Sequence, residues 1–272
     1  MSKKYKLGVV GTPIEHSLSP FIHSRFSRNE NINLEYLPYK VDDHSFSEFI
    51  NDFFSDKSSK GLNITLPHKK RAAALDGVIS KEAKYINSVN TITFNDRNLY
   101  LHSTDGIGFA DDLVSKGLSL DQKNVCIIGA GAAVESILYV LAKNNVSLIS
   151  IINRTQQNAE RLIRKYSSMT NFQIETNETL QYDLIINGSS AGLTGKFKPP
   201  SDFLLLDNKT FFYDLNYSLD ETPFCKWASR YSDNVYDGLG MLVHQAAHSF
   251  ERWFNIFPDT DPVIQDLIKM RT

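Results

Sequence analysis

The segment Asn124–Asn153 constrains this chain more than any other. Asn124-Val125-Cys126-Ile127-Ile128 is a short, nearly continuous apolar run, and Gly129-Ala130-Gly131 follows at once. Ala132 to Lys143 reads as a helix, and a second apolar run, Ser147–Ile152, leads into Asn153-Arg154-Thr155. A buried strand, a glycine turn, a helix and a second buried strand form a βαβ unit, which requires a parallel sheet covered on both faces. The glycines let the backbone approach a pyrophosphate, and the helix N-terminus offers free N–H groups and partial positive charge. The distance from Gly129 to Asn153 is that of a dinucleotide-binding unit. Sites for NAD place Asp or Glu at the end of the second strand to hold the ribose 2′-OH. Arg154 stands there instead, and its guanidinium can fork onto a 2′-phosphate. Val134 occupies the third glycine position of the fingerprint and predicts a wider strand–helix gap or a shifted helix.

The same alternation fills the rest of the chain. Leu7–Val10, Leu34–Val41 and Leu62–Leu66 read as strands, with Phe21–Asn29, Phe46–Phe54 and Lys69–Leu75 as helices. Val89–Phe94 and Leu99–His102 flank Asn95-Asp96-Arg97-Asn98, a hairpin turn. Gln156–Tyr166 is a further helix, and Leu184–Asn187 and Phe211–Leu215 are further strands. After Met241, residues Val243, Ala246, Ala247, Phe250, Phe254 and Phe257 share one helical face. A chain of 272 residues suits two domains. The expected fold class is α/β with two domains. Residues 1–105 form a mainly parallel domain, 106–238 a dinucleotide-binding domain, and 239–272 helices that return to the first.

Composition removes other classes. Hydrophobic residues make up 42% of the chain and the net charge is −2, so a core can form and no footprint for nucleic acid exists. The basic cluster His68-Lys69-Lys70-Arg71 reads, by composition alone, as a solvated helix face. Two cysteines make no disulfide framework; Cys126 reads as a small buried hydrophobe, and this usage fits a reducing cytoplasm. No stretch approaches the roughly 20 apolar residues that span a bilayer, so no membrane partner is expected, and the apolar run before Gly11 is too short for a signal-peptide core. His244 and His248 are spaced to share a helix face, with Glu251 beyond, but Gln245 stands where a zinc-protease helix needs Glu. These histidines, like His68 and His102, read as packing or surface residues, and no metal is expected.

Three stretches of the first half look chemical. In His16-Ser17-Leu18-Ser19-Pro20, Ser19 reads as an N-cap and Pro20 as a first helical residue; two hydroxyls beside a helix start also make a carboxylate-sized anion site. In Asn63-Ile64-Thr65-Leu66-Pro67-His68-Lys69, Asn63 and Thr65 share a strand face. Lys69 opens a helix against the macrodipole, which calls for another reason to be there. Ser103-Thr104-Asp105-Gly106 lies at a strand end, where an Asp before Gly is most often a turn residue.

Together with Ser88-Val89-Asn90-Thr91, Thr104-Asp105-Gly106-Ile107-Gly108, Gly129-Ala130-Gly131-Ala132-Ala133, Asn153-Arg154-Thr155 and Asp237-Gly238-Leu239-Gly240-Met241-Leu242-Val243-His244-Gln245, these stretches resemble the shikimate dehydrogenase family over nearly the whole chain. The resemblance implies an inserted Rossmann-type domain and a site in a cleft between two domains. It implies reversible, NADP-dependent reduction of 3-dehydroshikimate to shikimate, a step of aromatic amino-acid biosynthesis. Ser17 and Ser19 would hold the substrate carboxylate. Thr65, Asn90, Asp105, Tyr217 and Gln245 would contact ring hydroxyls, with Asn63 nearby. Lys69 would be the acid–base residue, paired with Asp105. Gly129, Ala130, Gly131, Ala132 and Ala133 would face the diphosphate. Asn153, Arg154, Thr155 and Asn158 would flank the 2′-phosphate, and Leu215 and Gly238 would line the nicotinamide. Family members usually carry Gly at Ala132, a basic residue at Glu135, often another at Asn158, and Asn at Ser103. Glu135 is thus expected to bring negative charge near the phosphates. Three rivals are a quinate-directed relative using NAD, a non-catalytic sensor of shikimate-like ligands, and another NADP oxidoreductase on a related scaffold. Arg154 argues against the first, the Lys69–Asp105 pair against the second, and Ser17, Ser19, Asn90 and Gln245 against the third.

Overall fold

Apolar runs alternate with amphipathic ones along the chain, and the structure turns that alternation into two sheets. A computed structural model describes residues 4–174, 180–189, 191, 197–200, 205–218 and 220–271. The first unit comprises residues 1–108 and 243–265, and the second 109–242 and 266–272. The chain begins β1 (Tyr5–Gly11), α1 (Ser19–Asn29), β2 (Leu34–Lys40), α2 (Phe46–Ser55), β3 (Ser59–Ile64), α3 (Lys69–Ala72), β4 (Val78–Ile79), α4 (Lys81–Ile86), β5 (Thr91–Asn95), β6 (Asn98–His102) and α5 (Asp105–Ser115). It continues β7 (Asn124–Ile128), α6 (Ala132–Lys143), β8 (Leu148–Ile152), α7 (Gln156–Tyr166), β9 (Phe172–Ile174), β10 (Leu184–Asn187), β11 (Phe211–Asp214), α8 (Pro223–Ala228), β12 (Val235–Asp237), α9 (Leu239–Phe254) and α10 (Asp261–Ile268).

The first sheet runs β2-β1-β3-β5-β6-β4. Pairing is parallel at β2–β1, β1–β3 and β6–β4, and antiparallel at β3–β5 and β5–β6. The expected hairpin is the β5–β6 turn: Asn95 pairs with Asn98, and Asp96 and Arg97 both take positive φ, as the twist of a tight hairpin demands. Side chains alternate across this sheet. Val10, Leu62 and Ile64 pack with Phe46, Ile50 and Phe53 of α2, while Leu7, Val9 and Tyr36 pack with Trp253 of α9. On α9 the apolar stripe holds as far as Phe254, with Val243, Ala246, Ala247 and Phe250 fully buried and Phe254 packed on Tyr5 and Phe250. Phe257 departs from the expectation. The helix stops at Phe254, Asn255 turns left-handed, and Phe257 is 46% exposed.

The second sheet is parallel throughout, in the order β12-β11-β10-β7-β8-β9. That is the doubly wound order of a Rossmann domain, with the reversal beside β7. No described helix is long and apolar enough to cross a membrane.

Two local expectations change. The basic cluster is not a solvated face throughout: His68 is fully buried, stacked on Phe46 at 4.8 Å, with Nε2 2.7 Å from the Val41 carbonyl. Arg71 reaches Asp43 at 2.7 Å. Ser19 is not the cap of α1. Leu18 takes the cap position without a side-chain hydrogen bond, and Ser17 Oγ accepts from Ser19 N at 3.3 Å.

Candidate active site

In the first unit, Lys69, Asn90, Asp105 and Gln245 converge. Lys69 opens α3, and its carbonyl accepts from Val89 N at 3.0 Å. Asn90 N then donates to the His102 carbonyl, and Ile64 N donates to the Asn90 carbonyl. Backbone ties therefore fix the start of α3, the approach to β5 and the end of β6 against one another. Asp105 begins α5 three residues after β6 ends.

The side chains close this frame. Lys69 Nζ donates to Asp105 Oδ2 at 2.6 Å, and Asn90 Nδ2 donates to Asp105 Oδ1 at 2.9 Å. Asn90 Nδ2 also lies 3.2 Å from Gln245 Oε1. Asp105 and Asn90 are buried, whereas Lys69 and Gln245 are half-buried. The reason for a lysine at a helix start is thus a charge-assisted hydrogen bond to Asp105, which outweighs the unfavourable macrodipole.

Asn63 is held on all sides. It accepts from the Tyr36 hydroxyl at 2.7 Å and donates towards the Asn90 carbonyl, Thr91 Oγ1 and Ser249 Oγ. Burial pushes the Tyr36 hydroxyl well above the ordinary tyrosine range, with Ser19 acting in the opposite direction. Thr65 follows β3, half-buried, with its N–H on the Val10 carbonyl. A side chain at Gly11 would meet Thr65 Cγ2 at 2.4 Å, so Gly11 leaves the room that Thr65 takes. Ser17 is half-buried.

The second unit carries the nucleotide features. Gly129 has φ +109, and a Cβ there would lie 2.9 Å from the backbone of Gly188, so only glycine fits. A Cβ on Gly131 would meet nothing within 4 Å: the N-terminus of α6 opens onto free space, a cradle for an anion. Ala132 and Ala133 are exposed in that first turn, and Ala130 is buried. Arg154 and Asn158 are exposed, and Arg154 has no hydrogen-bond or ion-pair partner among the described residues. Asn153 Nδ2 donates to the Thr155 carbonyl at 2.7 Å, and Thr155 takes the cap position of α7 without a side-chain hydrogen bond. These residues fit a dinucleotide with a 2′-phosphate. Leu215 and Gly238 are neighbours at the ends of β11 and β12, where a Cβ on Gly238 would lie 2.6 Å from the Leu215 carbonyl. Tyr217 is half-buried in the loop after β11, and burial raises its hydroxyl above the ordinary value.

Glu135 differs from expectation, and Val134 is fully buried against Gly188, where a Cβ would lie 2.2 Å from Val134 Cγ2. Glu135 is held by Lys165 at 2.7 Å and Arg161 at 3.2 Å. Burial works to raise its carboxyl, but hydrogen bonds from Arg161 and Lys165 outweigh that and hold it below the usual range. Its charge is compensated by α7 rather than presented to a phosphate.

Three family models match in chain order: the shikimate dehydrogenase substrate binding domain over residues 9–92, shikimate/quinate 5-dehydrogenase over 112–193, and the shikimate 5′-dehydrogenase C-terminal domain over 238–267. A shikimate dehydrogenase (NADP(+)) of Colwellia psychrerythraea is 38% identical over 262 residues, covering 95% of this chain and 94% of that one. The chain belongs to the shikimate dehydrogenase family. The solved structure of the Thermus thermophilus enzyme with NADP(H) and shikimate superposes with a TM-score of 0.87 at 26% identity, over 98% of this chain and 99% of that one. A ligand-free 5-ketofructose reductase of Gluconobacter superposes with a TM-score of 0.89 at 26% identity, over 99% of this chain and 100% of that one. The fold therefore hosts more than one substrate, and the choice rests on side chains.

Sequence reading missed the shell that holds those side chains. Thr91 Oγ1 and Ser249 Oγ are 2.8 Å apart, and Thr104 N donates to Asn90 Oδ1 at 2.8 Å. In the second unit, Asp214 accepts from Asn187, Asn216 and Thr222. The polar Thr91 at the start of β5 and Asn187 at the end of the apolar β10 were the signals available.

Proposed function

We propose that this chain oxidises shikimate to 3-dehydroshikimate reversibly with NADP, as a step of aromatic amino-acid biosynthesis, and that Lys69 and Asp105 are its acid–base pair. The observation that carries the reading is the 2.6 Å contact between Lys69 Nζ and Asp105 Oδ2, with the Asn90 amide on the other carboxylate oxygen. The dinucleotide, when bound, supplies the hydride acceptor. Lys69 takes the proton of the substrate hydroxyl during oxidation and returns one during reduction. Asp105 orients the ammonium and stabilises it, and Asn90 fixes Asp105 in turn. Asn90, Thr65 and Gln245 hold ring hydroxyls, with Asn63 bracing them; Tyr217 is assigned to a ring hydroxyl on family resemblance. Each such hydroxyl leaves a polar group unpaired when an analogue lacks it, which is the basis of selection. Ser17 and Ser19 bind the carboxylate. Gly129 to Ala133 take the diphosphate. Asn153, Arg154, Thr155 and Asn158 take the 2′-phosphate, and Leu215 and Gly238 flank the nicotinamide.

The test follows NADPH oxidation with 3-dehydroshikimate, beside NADP and NAD reduction with shikimate and with quinate. Turnover highest with NADP and shikimate supports the reading. Turnover confined to quinate and NAD, or none with any pair, overturns it.

A further inference from the structure

The Lys69–Asp105 pair has an ionisable neighbour that the reaction as described does not use. Glu82 lies in the first turn of α4. Ser80 fixes that turn: its hydroxyl accepts from Ala83 N at 3.2 Å, and its own N–H donates to the Leu101 carbonyl at 2.9 Å. Ile79 pairs with Leu101 in parallel register, so α4 starts beside the end of β6, the strand that leads through Ser103 and Thr104 into Asp105. Glu82 Oε1 is buried and meets no hydrogen-bond donor among the described residues.

Such a carboxylate is costly to ionise. The groups that act on it are Asp105 from α5 and Arg252 and His248 from α9. His102, closing β6, faces Arg252, and Glu251 lies 3.6 Å from His248. Burial first and Asp105 second push Glu82 up to about 7, while Arg252 and His248 pull it down. Around neutral pH the group therefore switches between a neutral and a charged neighbour of Asp105.

Resting on the reading of Lys69 and Asp105 as the acid–base pair, we propose that Glu82 is a positioning residue for that pair: its carboxyl group, with one oxygen buried at the start of α4 beside the strand that leads into Asp105, fixes the pH at which the pair gains and loses its proton. A negative Glu82 favours the protonated pair. A neutral one lets the pair release its proton at lower pH.

Glu82→Gln keeps the shape and removes the charge. In NADP-linked oxidation of shikimate, the limb of kcat/KM that reports the base should move to lower pH by roughly half to one unit, the scale of one charge acting across several ångströms of protein. Glu82→Asp should move it back. A Gln profile that superimposes on wild type overturns the proposal, because a merely structural residue would change rates or melting without moving the limb. A second measurement needs no turnover. Carbon-13 NMR of carboxyl-labelled glutamate follows Glu82 in wild type and in Asp105→Asn. Coupling is reciprocal, so Glu82 should titrate near neutral pH in wild type and at least about half a unit lower in the Asn variant. An unchanged titration overturns the proposal. A shifted titration in a chain that fails to oxidise shikimate overturns the functional reading and leaves the coupling standing.

Discussion

In the proposed reaction Lys69 is the residue on which the chemistry turns. Its ammonium is tied to one carboxylate oxygen of Asp105 while the Asn90 amide holds the other. Lys69→Ala should lower kcat by roughly 10²- to 10⁴-fold, the usual contribution of a positioned acid–base group, while the shikimate dissociation constant changes far less. Steady-state kinetics across pH and direct titration of shikimate separate the two. A wild-type kcat at every pH would sink the assignment. On the proposed reading the two residues act as a unit, so Lys69→Ala with Asp105→Asn should lose less than the product of the single losses. Arg154 belongs to the same scale. It is exposed, without a partner among the described residues, at the end of β8. A charge-assisted contact to a 2′-phosphate contributes about 1.5–3 kcal/mol, or roughly 10- to 150-fold. Arg154→Ala should erase most of a moderate NADP preference and leave NAD use nearly unchanged. The comparison is kcat/KM for both cofactors at fixed ionic strength, since salt screens this contact. Equal use of both cofactors by wild type would contradict it.

At the scale of elements, the first unit depends on how closely α5 approaches α9. A Cβ on Gly108 would lie 2.5 Å from Gln245 N and 2.8 Å from its Cα. Backbone cannot yield as a flexible side chain does, so Gly108→Ala should push Gln245 away from Asn90 and cost about 1–3 kcal/mol. A lower melting temperature and a raised KM for shikimate are expected together; a variant that melts and turns over like wild type would show that the helices part without effect. Elements were also where the sequence was most legible. The strand–turn–helix–strand unit, the β5–β6 hairpin and the stripe on α9 follow from local periodicity and turn chemistry, and all three stand in the structure, the stripe without its last member Phe257. Partners from distant elements were not legible. Asn63 donates to Ser249, 186 residues away, and no local pattern announces that bond. The expectation for Glu135 failed for the same reason. Its cations come from α7, so a residue read alone as a charge beside phosphate is half of a clip between two helices.

For the molecule as a whole, acid should act through a buried histidine on α1. His23 is fully buried, stacked on Tyr36 at 4.3 Å and tilted against Trp253 at 5.1 Å. Burial drives its ionisation from the ordinary 6.5 down to about 3. In that window the unfolded chain binds a proton that the fold rejects, so stability is complete above the unfolded value and drains away as pH falls towards the folded one. Between pH 7.5 and pH 5 the loss from this group amounts to about 2 kcal/mol. Denaturant melts of wild type and His23→Phe should converge or cross as the pH is lowered. Parallel pH dependence in the two proteins would exclude His23 as the source. The fit of Val134 into Gly188 has a historical reading. Val134 fits because residue 188 is glycine, so the two sites cannot drift independently. A lineage that enlarges residue 188 first meets a steric wall against Val134. One that trims Val134 first opens a small void, then gains freedom at 188. Ancestry through this pair has a preferred direction, and a comparison that weighs the two columns separately will misjudge both.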